Sequence, residues 1–452
     1  MNDFNKKNVS RIVILGAGES GVGAAVLAKK QGFDTFVSDI SEIKKSHKDI
    51  LGKYGILYEE KRHSEEQILN ADRIIKSPGI SNKISIIEKM KERNIPIISE
   101  IEFAGYYTKA KTICITGSNG KTTTATLIYY ILKYAGFDVA LVGNVGKSLA
   151  MQVAEKDCNY YVIELSSFQL DGMYHFKADI AVLLNITSDH LDCYEYEIQN
   201  YINSKMRIIQ NQTKNDIFIY WSDDLVIARE IQKMKPTVTF YPFSEQKQVG
   251  VKAYTENGNI KVETANGMFS MPQKYLVLRG KHNLYNSLAA TAVAKLLGVK
   301  DEMLEHSFLN FKAIEHRMEK VAHIKGVDYI NDSKATNVNS CFYVLQSMRT
   351  PIILILGGVD KGNDYSEIEG LVREKCRALI FLGVDNSKLH DFFDGKVNVI
   401  YDVDSMKKAI QYAYKIAQEG DTVLLSPCCS SFDLFQNYED RGKQFKKYVC
   451  NL

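Results

Sequence analysis

Lys111-Thr-Ile-Cys-Ile-Thr-Gly-Ser-Asn-Gly-Lys-Thr-Thr123 decides how this chain is read. A short β-branched run enters a small-residue loop, and Gly120-Lys121-Thr122 opens a helix. In such a loop successive backbone N–H groups and the helix N-terminus face phosphate oxygens. The lysine neutralises the β- and γ-phosphates, and the hydroxyl after it can hold Mg²⁺. Gly117, Ser118, Asn119, Gly120, Lys121, Thr122 and Thr123 are the candidate nucleotide-binding residues. The usual G-x-x-x-x-G-K-[ST] spacing is not met, because Ile115 stands where the first glycine belongs, so Thr116-Gly117 is expected to make the turn. A ligand-free glycine turn is the alternative, but it seldom carries Gly-Lys-Thr between a strand and a helix. The loop implies binding of ATP or GTP.

Around this loop the chain reads as glycine-punctuated blocks of alternating strand and helix. Its 452 residues exceed one core and suit about three domains. We expect an α/β protein of three domains, each with a largely parallel sheet, over residues 1–107, 108–312 and 313–452. The first and last are Rossmann-like and the central one is like a P-loop ATPase. A β-rich insertion is expected over about Thr237 to Met271. Lys+Arg exceed Asp+Glu only by 57 to 54, so no basic field argues for nucleic acid. Eight cysteines without a C-x-x-C pair suggest neither zinc nor a disulfide framework. Met1 to Ser10 is polar and shows no signal peptide, and no apolar run approaches the ~20 residues that span a bilayer. A cytoplasmic protein without membrane insertion is expected.

Gly16-x-Gly18-x-x-Gly21 follows a strand, with Asp39 about twenty residues on, and meets the dinucleotide fingerprint. Alone it would argue for an NAD-linked oxidoreductase. The physics requires only a diphosphate at a helix N-terminus and a ribose hydroxyl near the acid, which a nucleotide-diphosphate sugar also provides. In the middle block Glu164 ends a strand, where an acid can hold Mg²⁺, and His190 follows another strand at the same sheet edge.

Thr116-Gly-Ser-Asn-Gly-Lys-Thr122, Gly143-Asn-Val-Gly146, Glu164-Leu-Ser-Ser-Phe-Gln169 and Asn185-Ile-Thr-Ser-Asp-His-Leu-Asp192 together resemble the Mur ligases, which add amino acids to the peptidoglycan precursor. The match continues through Lys281-His-Asn-Leu-Tyr-Asn286, Glu315-His-Arg317, Asn331-Asp-Ser-Lys-Ala-Thr-Asn337 and Gly357-Gly-Val-Asp-Lys-Gly362. Leu425-Ser-Pro-Cys-Cys-Ser-Ser-Phe-Asp433 and Arg441-Gly442 complete it, so the resemblance spans nearly the whole chain. Within the family the compact first domain, with Ser77-Pro-Gly-Ile80, and the absent Asp-Asn-Pro-Arg signature point to the step that adds D-glutamate to UDP-N-acetylmuramoyl-L-alanine. Addition of L-alanine or diaminopimelate is the alternative within the family.

The resemblance implies that ATP converts the substrate carboxylate to an acyl phosphate, which the amine attacks through a tetrahedral intermediate. Every participant is an anion, and two unit charges about 4 Å apart at an effective dielectric near 20 repel by about 4 kcal/mol. Cations must dominate: Lys121 and two Mg²⁺, one on Thr122 and Glu164, the other on His190 and Lys205. An ammonium beside Mg²⁺ would be repelled by about 8 kcal/mol, and the family's answer is reaction of Lys205 with CO₂ to give a carbamate. A plain surface lysine is the alternative. By the same resemblance Asn144 contacts substrate and phosphate, Asn283 and Asn286 read adenine, and Arg317 and Asp332 meet ATP phosphate and ribose when domains close. Gly18, Glu19, Ser20, Gly21, Asp39, Ser77, Pro78, Gly79 and Ser166 would bind the UDP-linked substrate; Lys334, Thr336, Lys361, Ser431 and Tyr438 would bind D-glutamate. A monomer is expected.

Two positions depart from the pattern. Asp39-Ile40-Ser41 lacks the Thr-Arg that some relatives carry after this acid, and Tyr438 stands where phenylalanine is common. A non-catalytic nucleotide-binding module is a further alternative, disfavoured because Lys121, Glu164, His190 and Lys205 are all present.

Overall fold

Three sheets carry the chain in the computed structural model, which describes residues 9–265, 267–278, 280–311 and 315–452. The expected boundary at 312–313 lies outside the described residues. The first sheet has five parallel strands in the order Leu57–Glu59, Asp34–Ser38, Arg11–Leu15, Arg73–Lys76, Ile97–Ile98. Ile12 to Leu15 are fully buried, as a strand covered on both faces requires, which is why this segment reads as an unbroken apolar run. Chain order reverses between Arg11–Leu15 and Arg73–Lys76, so the Gly16–Gly21 loop opens at the switch point where such sheets take ligands.

The central sheet has nine strands. From Ala253–Glu256 through Thr239–Gln246, Ile217–Trp221, Ile180–Leu183, Lys111–Thr116 and Tyr160–Glu164 to Val139–Gly143 all neighbours are parallel. Asn259–Thr264 and Gly267–Pro272 add an antiparallel edge. The expected insertion is therefore a continuation of the central sheet: Thr239–Gln246 pairs directly with Ile217–Trp221 after the helix Leu225–Met234. The third sheet has six strands, Glu319–Ile324, Val327–Asn331, Thr422–Leu425, Ile352–Leu356, Cys376–Leu382 and Ile400–Val403. All its pairs are parallel except the opening hairpin, and apolar clusters cover both faces.

The described residues fall into two compact units. The first comprises Met1–Ile186, Ile198–Tyr275 and Tyr285–Leu309; the second comprises Thr187–Glu197, Leu276–Leu284 and Asn310–Leu452. The first unit holds two sheets because buried groups join them. Gly23, in the helix Glu19–Lys30, packs so closely that a Cβ there would lie 1.9 Å from Ser148 Oγ, so only glycine fits. The Glu102 carboxylate accepts backbone N–H groups of Tyr174, His175 and Phe176 at 2.8–3.1 Å. Ser99 donates its backbone N–H to the Gly172 carbonyl at 2.8 Å.

Glu100 is fully buried at this seam and accepts Ala150 N–H at 2.5 Å, while its Oε2 has no hydrogen-bond partner. Burial pushes its carboxyl up from the ordinary 4.5 to about 7. A raised folded-state pKa means that the native protein holds this proton longer than the unfolded chain. Stability is then fully present below the unfolded-state pKa and declines as pH rises through about 7, by about 3 kcal/mol at roughly 1.4 kcal/mol per unit. Denaturant titrations between pH 5 and pH 8.5 are expected to show this decline in the native protein and a flatter profile in Glu100→Gln.

Candidate active site

The phosphate loop joins Lys111–Thr116 to the helix Lys121–Tyr134. Gly120 is its N-cap at φ 85°, a left-handed conformation, and a Cβ there would meet Asn286 Oδ1 at 2.3 Å, so the position requires glycine. No side chain caps this helix through Gly120, leaving first-turn N–H groups suited to an anion. Asn185, beyond the neighbouring strand Ile180–Leu183, clasps the turn. Its carbonyl accepts Ser118 N–H at 2.9 Å, its Oδ1 accepts Asn119 N–H at 2.8 Å, and its Nδ2 donates to the Asn119 carbonyl at 3.1 Å. Lys121 Nζ donates to the Gly117 and Ser118 carbonyls, each at 2.8 Å, which lays the ammonium over the loop. Ser118 Oγ lies 3.1 Å from the Tyr201 hydroxyl. Asn286, expected to read adenine, is buried with its Oδ1 accepting from Thr124 Oγ1 at 3.2 Å.

Glu164 ends the strand on the other side of Lys111–Thr116, level with Ile115 and Gly143. It is 1% exposed; Oε1 accepts from Asn144 Nδ2 at 2.8 Å, whereas Oε2 is buried without a hydrogen-bond partner. Asn144 also donates its N–H to the Glu164 carbonyl at 2.9 Å, so two bonds orient this strand end. A buried carboxylate oxygen lacking a donor is costly, and a hard divalent cation satisfies it. Glu164 and the buried Thr122 thus fit a Mg²⁺ site. Lys205 is also 1% exposed, with Nζ 3.5 Å from Thr116 Oγ1 and 4.7 Å from the Tyr201 ring centre; the surface-lysine alternative is excluded. Ser166 is the N-cap of Ser167–Asp171 in a reciprocal capping box with Gln169.

In the first sheet's loop Asp39 Oδ2 accepts Ala17 N–H at 2.7 Å, and Oδ1 accepts Ser41 N–H at 2.8 Å. Gly18 is the N-cap of the helix that begins with Glu19, Ser20 and Gly21. Ser77, followed by Pro78 and Gly79, donates its hydroxyl to the Gly16 carbonyl at 3.3 Å, tying the two expected substrate segments together.

In the second unit Asp189 is a hub that sequence reading quoted only within a run. Lys361 Nζ lies 3.5 Å from Oδ1, Asn337 Nδ2 donates to Oδ2 at 3.2 Å, and His190 Nε2 lies 3.8 Å from Oδ2. His190 itself adopts a left-handed backbone, φ 54°. Lys334 Nζ donates to the Tyr438 hydroxyl at 2.8 Å and sits 4.4 Å from its ring centre; that hydroxyl donates to Glu439 at 3.1 Å. The hydroxyl that distinguishes Tyr438 thus orients an expected D-glutamate ligand.

Arg441, 1% exposed, donates to Ser333 Oγ, to the Ser333 carbonyl and to the Cys429 carbonyl, binding the loop of Lys334 and Thr336 to that of Ser431. Burial lowers its guanidinium to about 10. Asp332 accepts Met318 N–H at 3.1 Å and Ser426 Oγ–H at 3.1 Å; burial, partly opposed by the nearby Arg317, pushes it up to about 7. Arg317 also opposes protonation of the half-buried His282, whose pKa falls to about 4 chiefly through desolvation. Asn283 belongs to the second unit and Asn286 to the first. Glu315, His316 and Glu319 gather ligand atoms within 4.8 Å, but Lys446 already pairs with both carboxylates.

Residues 115–294 match the Mur ligase middle domain, 316–429 the Mur ligase glutamate ligase domain and 11–86 the MurD N-terminal domain. The chain belongs to the Mur ligase family of ATP-dependent ligases. A Bacteroides fragilis protein named UDP-N-acetylmuramoylalanine--D-glutamate ligase is 61% identical over 445 residues, covering 98% of this chain and 100% of that protein. Proteins of the same name from Porphyromonas gingivalis and Chloroherpeton thalassium are 55% and 38% identical, each alignment covering 98% of both chains. Among solved structures, Thermotoga maritima UDP-N-acetylmuramate-alanine ligase superposes with TM-score 0.63 at 18% identity, covering 98% of this chain and 100% of that one. Thermotoga maritima MurF ligase in complex with ADP gives TM-score 0.60 at 17% identity, covering 92% and 95%. These two establish a shared fold.

The Asn185 clasp generates a direct expectation. Asn185→Ala removes the Oδ1 and Nδ2 bonds to Asn119, and is expected to destabilise the first unit by about 1–3 kcal/mol. The same change should raise KM for ATP by roughly tenfold, about 1.4 kcal/mol, as loosening of a loop that loses both of these bonds implies; steady-state kinetics and denaturant unfolding check both.

Proposed function

We propose that this chain joins D-glutamate to UDP-N-acetylmuramoyl-L-alanine with hydrolysis of ATP, in the synthesis of the peptidoglycan precursor. The observation that carries this reading is the convergence of the clasped phosphate loop and the buried, half-satisfied Glu164 at one sheet edge. The full-length relatives support the choice of D-glutamate over the other amino acids of the family. Their identity also weighs against the NAD-linked reading of the first loop. A cytoplasmic monomer accords with this role; no helix among the described residues is long and apolar enough to cross a membrane.

In the reaction the substrate carboxylate attacks the γ-phosphorus of ATP, releasing ADP and forming an acyl phosphate. The D-glutamate amine then adds to the acyl carbon, and the tetrahedral intermediate collapses to amide and inorganic phosphate. Lys121 and the 117–120 N–H groups bind ATP phosphates, while Thr122 and Glu164 hold Mg²⁺. When bound, Mg²⁺ would supply positive charge beside the phosphates. Asn144 orients both Glu164 and the substrate. Lys334, Thr336, Lys361, Ser431 and Tyr438 bind D-glutamate, with Arg317 and Asp332 on the ATP phosphate and ribose.

Lys205 would carry a carbamate, and the carbamate and His190 would be the ligands offered to a second Mg²⁺. The neutral amine adds to CO₂ and loses a proton, converting a buried cation into a carboxylate. The cost of burying an ammonium favours this modification. The UDP-linked substrate lies along Gly18, Glu19, Ser20, Gly21, Asp39, Ser77, Pro78, Gly79 and Ser166.

Phosphate release from ATP, Mg²⁺ and UDP-N-acetylmuramoyl-L-alanine is expected to depend strictly on D-glutamate. Release with another amino acid instead would move the chain to a sister step, and none under any pairing would overturn the ligase reading. Isotopically labelled bicarbonate should give a carbamate NMR signal that Lys205→Ala abolishes. Absence of that signal from the native protein would remove the carbamate from the mechanism.

A further inference from the structure

Two acids border the glycine loop of the first sheet. Glu19 opens the helix Glu19–Lys30, and Asp39 binds Ala17 N–H at 2.7 Å on the same loop. The residues after this acid, Ile40 and Ser41, carry no charge. A diphosphate brought here adds two further negative charges, which the backbone dipoles of the loop meet beside two acids.

His47 reaches this loop from the neighbouring helix. It projects from the helix Lys45–Lys53, and its Nδ1 lies 2.8 Å from the Ala17 carbonyl oxygen. Its Nε2 lies 4.0 Å from Glu19 Oε2, with the His47 side chain 16% exposed and that of Glu19 58% exposed. A carbonyl oxygen only accepts, so Nδ1 carries the proton of this bond. Nε2 can then donate only when the ring is an imidazolium. Glu19 is the acid within ion-pair distance of the ring, and Asp39 holds the N–H of the same Ala17 whose carbonyl the ring meets. On its own helix Lys45, Lys48, Asp49 and Lys53 are the charged neighbours, with Lys44 preceding it, and Lys48 is paired with Glu60 at 2.8 Å. From the central sheet's side Glu100 and Lys147 sense the charge of Glu19.

We infer that His47 is a substrate-binding residue: its imidazolium gives Nε2–H to the diphosphate of the UDP-linked substrate while Nδ1–H keeps hold of the loop. The exposed Glu19 is a weak competitor that a diphosphate oxygen can displace. Binding at His47 therefore selects for a diphosphate over an uncharged nucleoside. This rests on the proposed UDP-linked substrate.

Two substitutions separate charge from loop support. His47→Asn retains a short donor for the Ala17 carbonyl but has no cation; His47→Arg retains a cation with several donors. With the full-length enzyme, His47→Asn is expected to raise KM for UDP-N-acetylmuramoyl-L-alanine at least about tenfold, as loss of a charged hydrogen bond predicts. KM for ATP and kcat at saturation should stay near the native values, and His47→Arg should remain within about threefold of the native KM. A native-like KM in His47→Asn, or equal impairment of both variants, would overturn the inference. Calorimetry of the native protein with UDP-N-acetylmuramoyl-L-alanine keeps the two readings distinct: no binding at all removes the proposed substrate itself, and His47's role with it. Binding by the native protein with unchanged affinity in His47→Asn removes only the role of His47.

Discussion

The clasp of Asn185 on the 117–120 turn is the interaction on which the active-site architecture depends. A phosphate cradle works only when its N–H groups are already aimed, since ordering them at the moment of binding would cost backbone entropy. Asn185 holds Ser118 through its main chain and Asn119 through both ends of its amide. It can do so because Ile180–Leu183 pairs with one edge of Lys111–Thr116, while Tyr160–Glu164 pairs with the other. The strand that launches the loop is thus flanked by the strand preceding its clasp and by the strand that ends in the buried carboxylate of Glu164. Sheet order brings together three groups that lie far apart along the chain.

Two of the buried charges are held by several hydrogen bonds that offset their desolvation. Glu102 gathers three backbone N–H groups at the seam of the first unit. Arg441 bridges Ser333 and Cys429 beneath the expected amino-acid site. Glu100, Glu164 and Asp332 are less completely compensated. In Glu100 and Asp332 this appears as carboxyls pushed up to about 7. In Glu164 it appears as an oxygen turned away from protein donors, the condition under which a divalent cation contributes most.

Much of the fold was legible because parallel strands buried on both faces produce compact apolar runs bounded by glycine or polar turns. Arg11–Leu15, Arg73–Lys76 and Thr422–Leu425 are runs of this kind. Val139–Gly143 escaped notice because Val-Ala-Leu-Val-Gly is short and becomes a strand by pairing with Tyr160–Glu164. The 237–271 stretch was recognisable as β-rich, yet its union with the central sheet depends on an edge that no local pattern announces. Asp189 lay inside a quoted motif, but its meeting with Lys361 and Asn337 spans about 150 residues. His47 left no sequence signal beyond lying a few residues past Asp39.

The sequence by itself determined the chemistry available: a phosphate loop, a lysine and hydroxyl to follow it, acids at strand ends, and a second glycine loop for a diphosphate. These are local, because spacing along a strand–turn–helix dictates which backbone groups face a ligand. Only the tertiary structure decided which groups are buried, paired or left unsatisfied. It buried Lys205, left one oxygen of Glu164 without a hydrogen bond among the described residues, set the Tyr438 hydroxyl against Lys334 and set His47 against Ala17. Desolvation and hydrogen bonding are properties of surroundings assembled from distant segments, and no run of neighbouring residues specifies them.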